Sequence, residues 1–69
     1  MSDYSFLFGK RVEACYREAD VPLTAIGVLA MDSGTSIFVE DRFSDGGRDK
    51  TIRVEIPYDY ILRVREIGA

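Results

Sequence analysis

The chain has 69 residues with 46% hydrophobic and 30% charged positions and a net charge of −3, which is the balance of one small soluble domain (1–69). It contains one cysteine and no histidine, so disulfide staples and histidine-based metal or triad chemistry are excluded, and no apolar run approaches the ~20 residues of a membrane span. A chain this short buries only about 60% of the surface its unfolded form exposes, and oligomerisation is the common remedy left to it. The amino-terminal MSDYSFLF has neither a basic segment nor a long apolar one, so a cytoplasmic protein is the expectation.

In chain order, Ser5-Phe6-Leu7-Phe8 followed by Gly9 predicts a short helix closed by a left-handed cap, placed to cover one opening of a barrel. From Lys10 to Arg17 the period changes to two, with Val12, Ala14 and Tyr16 on one side and Arg11, Glu13, Cys15 and Arg17 on the other. Val12, Cys15, Tyr16 and Ala19 also fit a helical stripe, so a helix competes with the strand until the rest of the chain is read. Residues Ala19 to Pro22 predict a loop, and Leu23 to Asp32 a long strand in which Gly27 marks a bend or bulge. Ser33-Gly34 predicts a two-residue turn, Thr35 to Phe43 the returning strand, and Ser44 to Lys50 an exposed, mobile polar loop.

The last third reads KTIRVEIPYDYILRVREI. Ile52, Val54 and Ile56 alternate with polar residues; Pro57, which has no N–H for a ladder, stops the strand; and Ile61 to Ile67 forms another. Only Tyr58-Asp59-Tyr60 lies between, enough for one tight or 3-10 turn. The expected apolar face comprises Val12, Ala14, Tyr16, Ile26, Val28, Ile37, Val39, Ile52, Val54, Ile56, Leu62 and Val64.

Several chemical constellations are absent or incomplete. Glu40 and Asp41 are adjacent, hence on opposite faces of a strand, and cannot act together as acid and base. Asp41 to Gly46 places Asp, Asp and Gly at the first, fifth and sixth positions of a calcium loop, but Phe43 and Ile52 stand where the third and twelfth ligands belong. Gly46-Gly47-Arg48 lacks the Lys-Ser/Thr of a phosphate loop, and Cys15 reads as a small strand residue. No cofactor, metal or catalytic residue is implied, and the chain reads as a non-enzyme. Tyr58 and Tyr60 followed by Arg63 and Arg65 interleave stacking rings with cations, the composition that single-stranded nucleic acid recruits, though tyrosine is equally an interface residue.

One helix-like turn, five strands and a three-residue break before the last strand resemble the Sm/Lsm branch of the SH3-like small β-barrels. Met31-Asp32-Ser33-Gly34-Thr35-Ser36-Ile37-Phe38-Val39-Glu40-Asp41 is similar to the first motif of that family, and Ile56, Ile61 and Val64 match the spacing of the second. The resemblance implies a five-stranded all-β barrel with a short N-terminal helix, and copies joined edge to edge in a ring through Ile52, Val54, Ile56, Leu62 and Val64. For an RNA pocket only Asp32 carries over directly from the family, with Ser36 and Tyr58 standing at its other positions, while Tyr60, Arg63 and Arg65 are candidates from the interleaving of rings and cations. The chain departs from the family at Ser36, where the base-reading Asn would stand, and at Pro57-Tyr58, where a basic residue would. With no Asn or Gln anywhere, the expectation is weak, salt-dependent binding with little sequence preference. The other reading is a homo-oligomeric protein-interaction module, which the acidic charge favours.

Overall fold

The computed structural model describes residues 3–68. Five antiparallel strands form one sheet: β1 (Arg11–Glu18), β2 (Val21–Asp32), β3 (Ser36–Asp45), β4 (Arg48–Pro57) and β5 (Ile61–Glu66), in the spatial order β4-β3-β2-β1-β5. The strand reading of 10–17 is the correct one: β1 pairs with β2 from Arg11↔Val28 to Glu18↔Val21, and its other side pairs with β5. The expected N-terminal helix is a single 3-10 turn, Ser5–Leu7. Leu7 plugs the core, and hydrogen bonds from the Gly9 N–H to the Leu29 carbonyl (2.9 Å) and from the Leu29 N–H to the Lys10 carbonyl (3.0 Å) stitch the turn onto β2.

The sheet is curled without being closed into a barrel, because its end strands β4 and β5 are not paired with each other. Flat, five strands would set the outer two roughly 19 Å apart, at about 4.8 Å per spacing. The chain from Pro57 to Ile61 reaches at most about 14 Å fully extended, and it is wound into the 3-10 turn Tyr58–Tyr60. Such a short link forces the sheet to roll. Pro57 ends the β3–β4 ladder opposite Ser36, so the chain leaves one edge and enters the other with no ladder between them.

Rolling dictates what fits inside. Leu7, Val12, Ala14, Ala25, Leu29, Ile37, Val39 and Ile56 make the buried core, with Tyr4, Tyr16, Val54, Tyr58, Ile61 and Val64 packed partly against it. The expected inner positions on β1, β3 and the end of β4 are therefore found inside. On β2 the expectation chose the wrong face: Ile26 and Val28 are 43% and 40% exposed, whereas Leu29 is fully buried. The register explains it. Val12 lies opposite Gly27 and Ala14 opposite Ala25, so the tight inner surface takes small residues where branched side chains would not fit. A Cβ added to Gly27 would stand 2.2 Å from the backbone oxygen of Glu40, so this glycine permits β2 and β3 to approach, while the register shift itself falls between Leu29 and Met31. Ile52 and Leu62, also expected inside, are 52% and 59% exposed: each lies on an end strand paired on one side only, Ile52 beyond the buried stretch of β4 and Leu62 at the irregularity where the β1–β5 register shifts between Cys15↔Arg63 and Tyr16↔Ile61.

The turns differ from expectation in instructive ways. The polar loop 44–50 is reduced to Gly46-Gly47, both at positive φ, and the ladder continues through Phe43↔Lys50, Ser44↔Asp49 and Asp45↔Arg48. Two consecutive left-handed residues match the twist of a hairpin, which the glycines supply at no steric cost. The β1–β2 hairpin makes the same kind of turn with Ala19 (φ 49°) and Asp20 (φ 66°), so Val21 and Pro22 belong to the strand. Between β2 and β3 the connection has three residues, Ser33 to Thr35, rather than two, with Gly34 at φ 91°.

Candidate functional site

The residues expected to hold nucleic acid fall in three places. Asp32, Ser36 and Tyr58 come together where the β2–β3 connection meets the second 3-10 turn. The Asp32 carboxylate ends β2 and accepts three hydrogen bonds: from the Gly34 N–H (2.9 Å) and the Tyr58 hydroxyl on Oδ1, and from the Tyr4 N–H (2.8 Å) on Oδ2. The Tyr58 hydroxyl accepts in turn from the Asp3 N–H at 2.9 Å, its N–H donates to the Thr35 carbonyl at 2.9 Å, and its ring meets Tyr4 edge-on at 5.4 Å. Ser36 is buried and its N–H donates to the Ser33 hydroxyl at 3.1 Å.

This knot ties the N-terminal turn to two connections far apart in sequence. Burial raises the Asp32 pKa, but the hydrogen bonds from Tyr58, Gly34 and Tyr4 outweigh it and hold the carboxyl below its ordinary value. Burial and the hydrogen bond to Asp32 push the Tyr58 phenol up. Both groups are ionisable, yet their hydrogen bonds are spent within the chain, so the arrangement fixes geometry.

Tyr60 lies elsewhere, lining a shallow groove with Tyr16, Glu18, Val54, Glu55 and Pro57 along the free side of β4. Arg63 and Arg65 sit on the outer face of β5, across from Cys15 and Glu13 of β1. The Arg65 Nε donates to Glu13 Oε1 at 2.9 Å, and Arg63 reaches the same oxygen at 3.9 Å. The Arg65 hydrogen bond, opposed by some burial and aided by both positive charges, holds Glu13 below its usual range. A second outer-face pair joins Arg53 Nε to Glu40 Oε2 at 2.6 Å, with the guanidinium 5.7 Å from the Phe38 ring centre.

Of the residues expected at an oligomer interface, Ile52 and Leu62 are exposed, Val54 and Val64 are half-buried, and Ile56 is fully buried. The Ile56 side chain therefore belongs to the chain's own core, and only its backbone could take part in an edge contact. Tyr4 and Glu13 were missed as organising residues. Glu13 was legible as part of an outward row with Arg11 and Arg17, but its partners on β5 depend on a pairing some fifty residues away. Among the described residues no cluster of three or more metal-ligating side chains occurs, and no helix is long and apolar enough to cross a membrane. No family model, curated protein or solved structure gives a significant match to the chain.

Proposed function

We propose that the chain is a non-enzymatic, Sm-like protein whose curled, open five-stranded sheet joins copies through the edges of β4 and β5, closing a ring that binds RNA or another single strand weakly. The observation that carries this reading is the free outer edge of each end strand: each presents a row of backbone groups unpaired within the sheet, and each strand carries an exposed large apolar side chain, Ile52 on β4 and Leu62 on β5. Open edges of this kind are templates for pairing with another chain. The buried core among the described residues, eight side chains of which two are alanines, is small for a free-standing domain, which adds to the case. The five-stranded all-β sheet and the three-residue link between β4 and β5 support the reading.

Light scattering coupled to gel filtration tests the assembly: a mass several times 7.8 kDa is expected, and a monodisperse monomer at micromolar concentration overturns it. Thr51→Pro, which removes an N–H that points away from β3 at the free edge of β4, lowers that mass. For the ligand, fluorescence anisotropy with labelled U-rich and A-rich oligonucleotides is expected to give weak binding that fades with salt and is insensitive to base. A second reading, a homo-oligomeric protein-interaction module, is favoured by the knot at Asp32 and Tyr58, whose polar groups are engaged internally, and by the Glu13 carboxylate that takes up Arg65. Absence of oligonucleotide binding at any salt selects it.

A further inference from the structure

The outer faces of the two edge strands carry a charge imbalance that the chain does not resolve within itself. On β1 and β5 two guanidinium groups, Arg63 and Arg65, share the single carboxylate of Glu13. Arg65 holds the short contact, so Arg63, at 3.9 Å and with 65% of its side chain exposed, is the surplus cation. On β4 the situation is reversed. Arg53 is matched by Glu40 across the ladder, but the next outward residue, Glu55, lies opposite Phe38 and has no cationic partner among the described residues. Glu55 and Glu18, likewise without a cation, line the groove with Tyr16 and Tyr60 beside the free edge of β4. Carboxylates flanked by tyrosine rings suit a planar guanidinium, which hydrogen-bonds the acids and stacks on the rings.

Resting on the assembly reading above, we propose that Arg63 on β5 of one copy docks on Glu55, in the groove along β4 of the next copy, and that this pair makes the contact run from β4 to β5. A β5-to-β5 contact would set Arg63 and Arg65 against the same two cations, and like charges placed opposite one another on adjacent strands are repelled. The charge pattern thus directs a head-to-tail arrangement, the kind that closes rings, over a two-fold one.

The test compares the wild type with Glu55→Arg, Glu55→Gln, Arg63→Glu and the double variant E55R/R63E, measuring mass by light scattering across a dilution series and checking each fold by circular dichroism. Each charge reversal is expected to raise the concentration for half-assembly by about ten-fold, with E55Q intermediate, whereas the double variant returns to near the wild-type value. An equimolar mixture of E55R and R63E also assembles, since each β5-to-β4 contact between unlike variants pairs opposite charges. A wild-type oligomer that neither reversal weakens, or a double variant as weak as the singles, overturns the Arg63–Glu55 pair while leaving edge assembly standing. A monomeric wild type overturns the assembly reading and the pair with it.

Discussion

The knot around Asp32 and the free edges of β4 and β5 are built from the same kinds of residue, tyrosine, carboxylate and aliphatic side chains, yet they are opposites in what they leave undone. At the knot the carboxylate accepts three hydrogen bonds and Leu7, Leu29, Ile37 and Ile56 are buried in the core beneath. At the edges Ile52 and Leu62 face solvent, Glu55 has no cation among the described residues, and two strands end the sheet. A satisfied cluster can only hold the fold, whereas an unsatisfied one has interactions still to make. The hydrogen-bonding groups of Asp32 and Tyr58 are therefore engaged within the fold, while the free backbone groups lie at the edges.

The largest effect is expected in the core. Leu29→Ala is expected to cost about 2–5 kcal/mol in urea melts, against less than about 0.5 kcal/mol for Ile52→Ala measured at concentrations too low for assembly. Equal losses would erase the distinction between interior and edge. Next comes Gly27→Ala, which drives a Cβ into the Glu40 backbone and should cost about 3 kcal/mol.

Asp32→Ala removes the acceptor of three hydrogen bonds and should cost about 2 kcal/mol at neutral pH. Because the folded carboxyl titrates below its unfolded value, its contribution is full above the ordinary aspartate pKa of about 3.9 and is lost as pH falls through the depressed one. The gap between wild type and Asp32→Ala in denaturant melts should therefore shrink below about pH 4. A gap that persists unchanged into acid would mean the carboxylate form is not what the knot binds. The smallest effect is a gain: Ala19→Gly relieves a left-handed alanine in the β1–β2 turn and should stabilise by about 0.5–1 kcal/mol, while Gly46→Ala at the matching turn should destabilise by a similar amount.

The sequence made the five strands legible, because alternation is strong in β1, β3 and β4 and Pro57 marks the break. It did not settle the face of β2, since Leu23, Ala25 and Leu29 at odd positions and Ile26 and Val28 at even ones are both apolar rows. That choice is made by the fit of Ala14, Ala25 and Gly27 on the inside of a tightly rolled sheet, a property of the assembled strands. The turn at Gly46-Gly47 was hidden by its charged flanks, which look like a loop but pair across the hairpin as Asp45 with Lys50 at 3.0 Å. Asp32, Ser36 and Tyr58 were grouped correctly in space, while Tyr60 and the two arginines scatter because strand pairing between β1 and β5 turns the arginines toward Glu13.

Amide hydrogen exchange, followed residue by residue at two protein concentrations, tests the edge-pairing claim most directly. Paired between copies, the outward N–H groups of β4 between Lys50 and Ile56, and of β5 between Leu62 and Glu66, exchange slowly at high concentration and lose that protection on dilution. Amides of β1 and β2, paired within the chain, keep theirs. Fast exchange of the outward β4 and β5 amides at every concentration would contradict the account.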